Sequence, residues 1–300
     1  VTTNMKQAIE GADAILVTVP AFAHKTFAEH CAKYVEDEQI IVLNPGNTFG
    51  AIEFSKVLED SGMAKHAIVA ETTTNLFACR AGVRGGVGPA QLRMHFIKKE
   101  MPVAALPAKD TGKALKCLKQ AFPEFISAKN VLETSIYRPG MIFHPVSTLL
   151  NVAKIERTGP YKCDGYDVTP STGRIMEAMD NERLDIATAL GLEPVSAKDW
   201  LFRFYGAKGK DLYEALLSCE AYKGQMSAPN LQFRYVTEDV PYMLVPMSSL
   251  GDLLGVRTPT FKALIHVGCV INHTDYWSEG RTVEKLGLKG MSAQRIIRFV

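Results

Sequence analysis

Much of what this 300-residue sequence says, it says by omission. It has no C-x-x-C pair: its six cysteines, Cys31, Cys79, Cys117, Cys163, Cys219 and Cys269, are scattered without framework spacing. That argues against a disulfide scaffold or a zinc site and for free thiols in a reducing, cytoplasmic setting. No apolar run approaches the ~18 residues of a membrane span. Net charge is only +2, so no broad electrostatic footprint for nucleic acid exists. No internal repeat or low-complexity tract appears, and no signal peptide is visible. The chain opens on Val1 rather than Met, as if inside a structural unit, so processing or truncation is expected. At 47% hydrophobic content it can bury two ordinary cores.

The pattern changes along the chain. A helical stretch over residues 3–11 leads to the apolar run 14–19 (AILVTV), and a second helical stretch over 22–34 leads to IIVL at 40–43. A third helix, 54–60, leads to AIVA at 67–70. Short continuous apolar runs alternating with helices read as buried strands of a parallel sheet. Two further strands are expected at 91–97 and 103–106, then a helix over 113–121. After Pro139 strand-like runs cease. Ile175, Met176, Met179, Ile186, Leu190 and Leu192 keep helical spacing, with Asp180, Glu182 and Arg183 on other faces. Residues 244–254 and 261–270 look similar. The expected organisation is an α/β domain over 1–136, followed by an all-helical domain over 137–300.

Such a layout suits nicotinamide-dependent dehydrogenases, which bind their cofactor at the carboxyl ends of the strands. Here those ends are VPAFAH (19–24), LNPGN (43–47) and ETTTN (71–75), all small or polar; ordinary βα turns use the same residues. The G-x-G-x-x-G fingerprint that seats a pyrophosphate on a helix start is missing. GVRGGVG (82–88) has the wrong spacing, with Gln91 where a third glycine would fall. The strand at 14–19 is therefore expected to be a later strand of a sheet whose opening segment is absent. The residue that separates NAD from NADP would lie in that segment.

In the helical part, MIFHPVSTLLN (141–151) sets His144 before Pro145. Proline favours a first helical turn, which places His144 at a helix start. A lone histidine is more often structural than catalytic, unless a carboxylate fixes its tautomer. RYVTEDVP (234–241) offers Asp239 for that role, and Arg234 for bidentate pairing with a substrate carboxylate. Glu238 reads as part of a solvated helix face. His273 and Asp275 lack a third ligand at a recognised spacing, so no metal site is expected, and Asp275 with Arg281 reads as a structural pair.

Taken together, HPVSTLLN (144–151), RYVTEDVP (234–241) and DYWSEGRTVEKLGL (275–288) resemble the signatures of the octopine/nopaline type of opine dehydrogenases. VPAFAH, LNPG and ETTTNLFACR (71–80) resemble that family's coenzyme domain in the same order. The resemblance implies a Rossmann-type α/β parallel-sheet domain, N-terminally incomplete, joined to a helical domain with the active site between them. It implies NAD or NADP as cofactor, at Pro20, Ala21, Asn44 and Gly46. His144 and Asp239 become the catalytic pair and Arg234 a substrate-binding residue, while Glu71, Thr72 and Cys79 line the amino-acid pocket. The implied reaction joins an amino acid to a 2-oxo acid through an imine that hydride reduces. Apart from the resemblance, a cytoplasmic homodimer is expected. Family members often carry Pro near Leu76 and Asn shortly before the histidine, where Arg138-Pro139-Gly140 stands here, so the substrate stays open. Two other readings compete: a 2-oxo or 2-hydroxy acid dehydrogenase of similar layout, and a non-catalytic remnant.

Overall fold

The computed structural model describes residues 1–63, 66–82, 88 and 91–300. The interior of the glycine run at 82–88 lies outside the described residues. The chain divides into two compact units, Val1–Arg138 with Arg298–Val300, and Pro139–Ile297. The last three residues return to the first unit, where Ala108 N donates to the Val300 carbonyl. No helix among the described residues is long and apolar enough to cross a membrane.

The first unit is built on a five-stranded sheet. Strands β1 (Ala14–Val17), β2 (Ile40–Leu43) and β3 (Ile68–Thr72) run parallel in that order. All four residues of β2 are buried, as a strand covered on both faces must be. Each such side chain contributes about 1.5–3 kcal/mol. β1 forms one edge of the sheet, and its Leu16 is half exposed. Strands β4 (Phe77–Ala81) and β5 (Leu92–Ile97) form a separate antiparallel ribbon. β6 (Met101–Leu106) rejoins the sheet antiparallel to β3, and β7 (Phe125–Ser127) closes it parallel to β6. Ile40, Val42, Ile68, Ala70, Val103 and Phe125 meet in the core on one face.

Two helices of this unit depart from the sequence expectation because of how their first turns are capped, one from a distance and one locally. The helix expected from residue 54 already begins at Gly50 (Gly50–Asp60), because a carboxylate from β3, Glu71, caps its first turn. The helix Val131–Ile136 gave no apolar stripe long enough to read. The Asn130 side chain holds it, accepting from Leu132 N and Glu133 N.

The second unit is helical, with one exception to the all-helical expectation: β8 (Lys162–Cys163) pairs with β9 (Gln225–Met226). Its spine is the helix Pro170–Ala189, capped by Thr169 and Thr172 in a reciprocal box. Asp180, Glu182 and Arg183, set on other faces than the apolar stripe, are buried as well. Arg183 Nη2 donates to Asp180 Oδ1 at 2.6 Å, and Asp180 Oδ2 accepts from Ala197 N at 2.7 Å. Glu182 accepts from Thr260 N and Phe261 N, satisfying the first turn of the helix Pro259–Asn272. Buried polar groups survive here because each finds a partner.

Candidate active site

His144 does not start a helix. It sits in the middle of Gly140–Leu149, with Pro145 inside the helix rather than at its first turn. Pro139 instead occupies the cap, and its carbonyl accepts from Ile142 N and Phe143 N. A proline inside a helix removes one backbone bond and ordinarily destabilises it. The burial of Met141, Ile142, Phe143, Val146 and Leu149 offsets that here.

Asp239 comes to His144 from 95 residues away. It follows the single turn Arg234–Thr237 and caps a π-helical turn, Val240–Leu244, that runs directly into the helix Val245–Leu254. A π turn adds one residue per repeat and so re-aims the side chains at its start. The Asp239 Oδ2 lies 2.6 Å from His144 Nδ1, with the two side chains only 4% and 12% exposed. A carboxylate can only accept, so Nδ1 carries the proton of this bond and Nε2 is left for other work. Hydrogen bonds to charged groups of this kind contribute about 1.5–3 kcal/mol.

Two tyrosines complete the setting, and the sequence reading had passed over both. Tyr235 stacks on the His144 ring, with centroids 4.0 Å apart and planes 13° from parallel. It stands four residues before Asp239, a spacing that could have revealed a shared face. Tyr166 places its hydroxyl 3.4 Å from His144 Nε2. No local signal marks it beyond the turn-like run Gly165-Tyr166-Asp167. Behind Tyr166 stand Tyr222 and Tyr205, whose phenols burial pushes up, Tyr205 to about 12 and Tyr222 well above the usual phenol range, so both stay neutral. Cys163 nearby is likewise pushed up to about 11 by burial, then by Asp167, and remains a thiol at neutral pH.

Arg234 lies on the same short helix as Tyr235. Its side chain is 40% exposed, and its guanidinium pairs loosely with Glu238 at 3.7 Å. Glu238 itself is buried, which corrects its reading as part of a solvated face. Asp275 caps the short helix Tyr276–Glu279, accepting from Trp277 N and Ser278 N, while the Arg281 guanidinium lies over the Tyr242 ring.

The other candidate residues belong to the first unit. Asn44 N donates to the Val17 carbonyl and Gly46 N to the Thr72 carbonyl, which draws the carboxyl ends of β1, β2 and β3 together. Pro20 caps a short turn there, and Ala21 is fully buried behind it. Thr72 Oγ1 and Leu76 N both donate to Asn44 Oδ1. Glu71 is fully buried: Oε2 accepts from Ala51 N at 2.8 Å, while Oε1 accepts from the hydroxyls of Thr134 at 2.7 Å and Ser135 at 2.6 Å. Gly46 must be glycine, since a Cβ there would fall 2.3 Å from Glu71 Oε2. Cys79 sits partly buried on β4 at a register shift in the ribbon.

Residues 127–272 match the model of the NAD/NADP octopine/nopaline dehydrogenase α-helical domain. An opine dehydrogenase from Arthrobacter sp. (strain 1C) is 39% identical over 295 residues, spanning 98% of this chain and 80% of that protein. The chain belongs to the opine dehydrogenase family. The octopine dehydrogenase of Pecten maximus is a more distant relative, 28% identical across 88% of this chain and 71% of its own length. A solved octopine dehydrogenase with NADH and L-arginine shares the fold, with a TM-score of 0.77 at 23% identity over 99% of this chain and 80% of that one. This opine dehydrogenase is thus an NAD(P)-dependent oxidoreductase acting on small molecules, by reductive condensation of an amine with a 2-oxo acid.

Proposed function

We propose that this opine dehydrogenase joins the amine of an amino acid to a short 2-oxo acid, with His144 Nε2 as the working acid and base. The observation that carries the assignment is the 2.6 Å contact between His144 Nδ1 and Asp239 Oδ2, which leaves Nε2 to exchange protons. An amino acid arrives as its ammonium form, and Nε2 takes one proton so that the nitrogen can attack the keto carbon. The imidazolium, held by Asp239, returns that proton to the oxygen, and Nε2 then carries a second proton from the newly bonded nitrogen to the same oxygen, which leaves as water. The C–N bond has formed, the C–O bond has broken, and a substrate iminium remains. A reduced nicotinamide, when bound, supplies the hydride that completes the reduction.

Arg234 is the proposed anchor for a substrate carboxylate, with an exposed fork suited to bidentate pairing. Glu71 and Thr72 are proposed to support the amino-acid pocket from behind, their side chains bracing the ends of β2 and β3, and Cys79 to line it from the ribbon. Pro20, Ala21, Asn44 and Gly46 are the proposed cofactor contacts. Their fit rests on charge and size: Ala21 and Gly46 are small, and the Glu71 carboxylate beside them is turned inward on three donors, so it does not oppose a pyrophosphate. A homodimer is part of the proposal and is tested by sedimentation.

One solved octopine dehydrogenase carries pyruvate and another L-arginine, so this pair opens a screen of amino acids and 2-oxo acids with NADH and NADPH. His144→Asn in the cofactor-loaded enzyme is expected to lower kcat by about 10²–10⁴-fold while the protein stays folded. Turnover within threefold of the parent would remove His144 from the mechanism. Full cofactor oxidation with the oxo acid alone would favour a 2-oxo acid reductase instead.

A further inference from the structure

The backbone before the helix Pro170–Ala189 is held where a chain does not go unaided. Gly165, Tyr166 and Asp167 have φ of 53°, 66° and 55° in succession. For residues with a Cβ this left-handed region costs about 1–2 kcal/mol each. Such conformations persist only where the surroundings over-determine them, and they gather at functional sites.

Here the surroundings do so from every side. Gly165 presses on the backbone of Leu216, where a Cβ would meet the carbonyl carbon and oxygen at 2.9 Å. Asp164 Oδ1 accepts from Gly224 N at 2.7 Å. Asp167 Oδ2 accepts from the Tyr161 hydroxyl at 2.7 Å and from Lys154 Nζ at 2.8 Å. The Tyr166 ring is then gripped by Phe143, at 5.8 Å between centroids, and by Tyr222 at 4.9 Å. What this bracing delivers is one atom, the Tyr166 hydroxyl oxygen, 3.4 Å from His144 Nε2.

That separation is long for a direct bond between a hydroxyl and a ring nitrogen. It is, however, the spacing of two donors that share one acceptor oxygen, each about 2.8 Å from it. We infer that Tyr166 is a further catalytic residue: its hydroxyl and His144 Nε2 together receive the keto oxygen of the 2-oxo acid. The inference rests on the proposed function of His144 and adds to it a second contact at the reacting oxygen. As the amine attacks, negative charge builds on that oxygen, and two fixed donors stabilise it more than they stabilise the ground-state carbonyl. Both protons that leave with water come from the amine nitrogen by way of Nε2. Tyr166 keeps its own proton throughout, so the step balances without it.

The test is Tyr166→Phe in the cofactor-loaded enzyme, assayed with pyruvate and the preferred amino acid. The ring and its packing are kept and one donor is lost. The expected result is a fall in kcat of about 10²-fold, the size found when a single donor to a developing oxyanion is removed. KM for the amino acid should stay within threefold and the thermal midpoint within experimental error. Tyr222→Phe, which removes a buried phenol from the same ring cluster but none from His144, should keep the parent kcat. Parent-like kcat in Tyr166→Phe overturns the inference, and so does an equal loss in both variants, which would make the effect one of packing. His144→Asn separates the two levels. If it is inactive while Tyr166→Phe is not, only this inference fails; if it is active, the proposed function fails first.

Discussion

Asp239 and Glu71 are both buried carboxylates that reach across long sequence separations, and their surroundings set them to different work. Glu71 is saturated: two hydroxyls take one oxygen and a helix amide takes the other. None of these three donors titrates near neutral pH, so its charge is spent on holding the helix Gly50–Asp60 and the segment 134–135 against the end of β3. Asp239 instead spends one oxygen on an imidazole whose far nitrogen can gain and lose a proton. A charge that ends on a titratable ring is transmitted to a reacting atom; a charge that ends on amides and hydroxyls is converted into stability. The same residue chemistry thus gives a carboxylate–imidazole pair in one unit and a brace in the other.

The sharpest break of this comparison is a matched pair of isosteric changes. Asp239→Asn keeps an acceptor for Nδ1–H but removes the charge that favours the imidazolium. It should lower kcat by about 10²-fold or more, and the limb of the pH profile governed by His144 should move to lower pH, because the charged ring has lost its anion. The thermal midpoint should change little by comparison. An unmoved limb would mean that Asp239 only positions the ring.

Glu71→Gln should behave the opposite way. Its new amide group must face either the Ala51 N–H or the two hydroxyls, and at least one donor loses its acceptor. Hydrogen bonds to a charged group contribute about 1.5–3 kcal/mol, and a loss of that order should appear in the urea midpoint. The folded fraction should keep kcat and KM within twofold. A tenfold rise in KM for the amino acid at unchanged stability would show that Glu71 meets the substrate, and the contrast with Asp239 would collapse.

The same two carboxylates show what a sequence discloses. The parallel strands could be read because burial on both faces forces continuous apolar runs such as IIVL, a local signal. His144, Asp239 and Arg234 stood out through ordered motifs rather than through any periodicity. What stayed hidden depended on contacts between distant segments. Glu71 starting a helix 20 residues away, Glu182 capping another 78 residues on, and the left-handed loop that carries Tyr166 leave no local trace. The expected solvated face at Glu238 failed for that reason too. A charged residue looks the same in sequence whether its partner is water or a buried donor.

Arg234 supplies the smallest and most discriminating of the expected effects. Its guanidinium is the exposed counterpart to the two buried carboxylates, held only loosely by Glu238 at 3.7 Å and so able to turn toward an incoming anion. Arg234→Lys preserves the positive charge beside Glu238, so the buried carboxylate keeps a cationic neighbour and the fold should not suffer. What disappears is the planar fork that pairs two N–H groups with two carboxylate oxygens. If the fork grips substrate equally in the ground and transition states, KM should rise about tenfold, roughly 1.4 kcal/mol, while kcat stays within threefold. If kcat falls as far as kcat/KM with KM unmoved, Arg234 acts only in the transition state and stands with His144 rather than apart from it. If neither constant moves but the urea midpoint drops, Arg234 serves Glu238 alone, and it joins Glu71 on the structural side of the comparison.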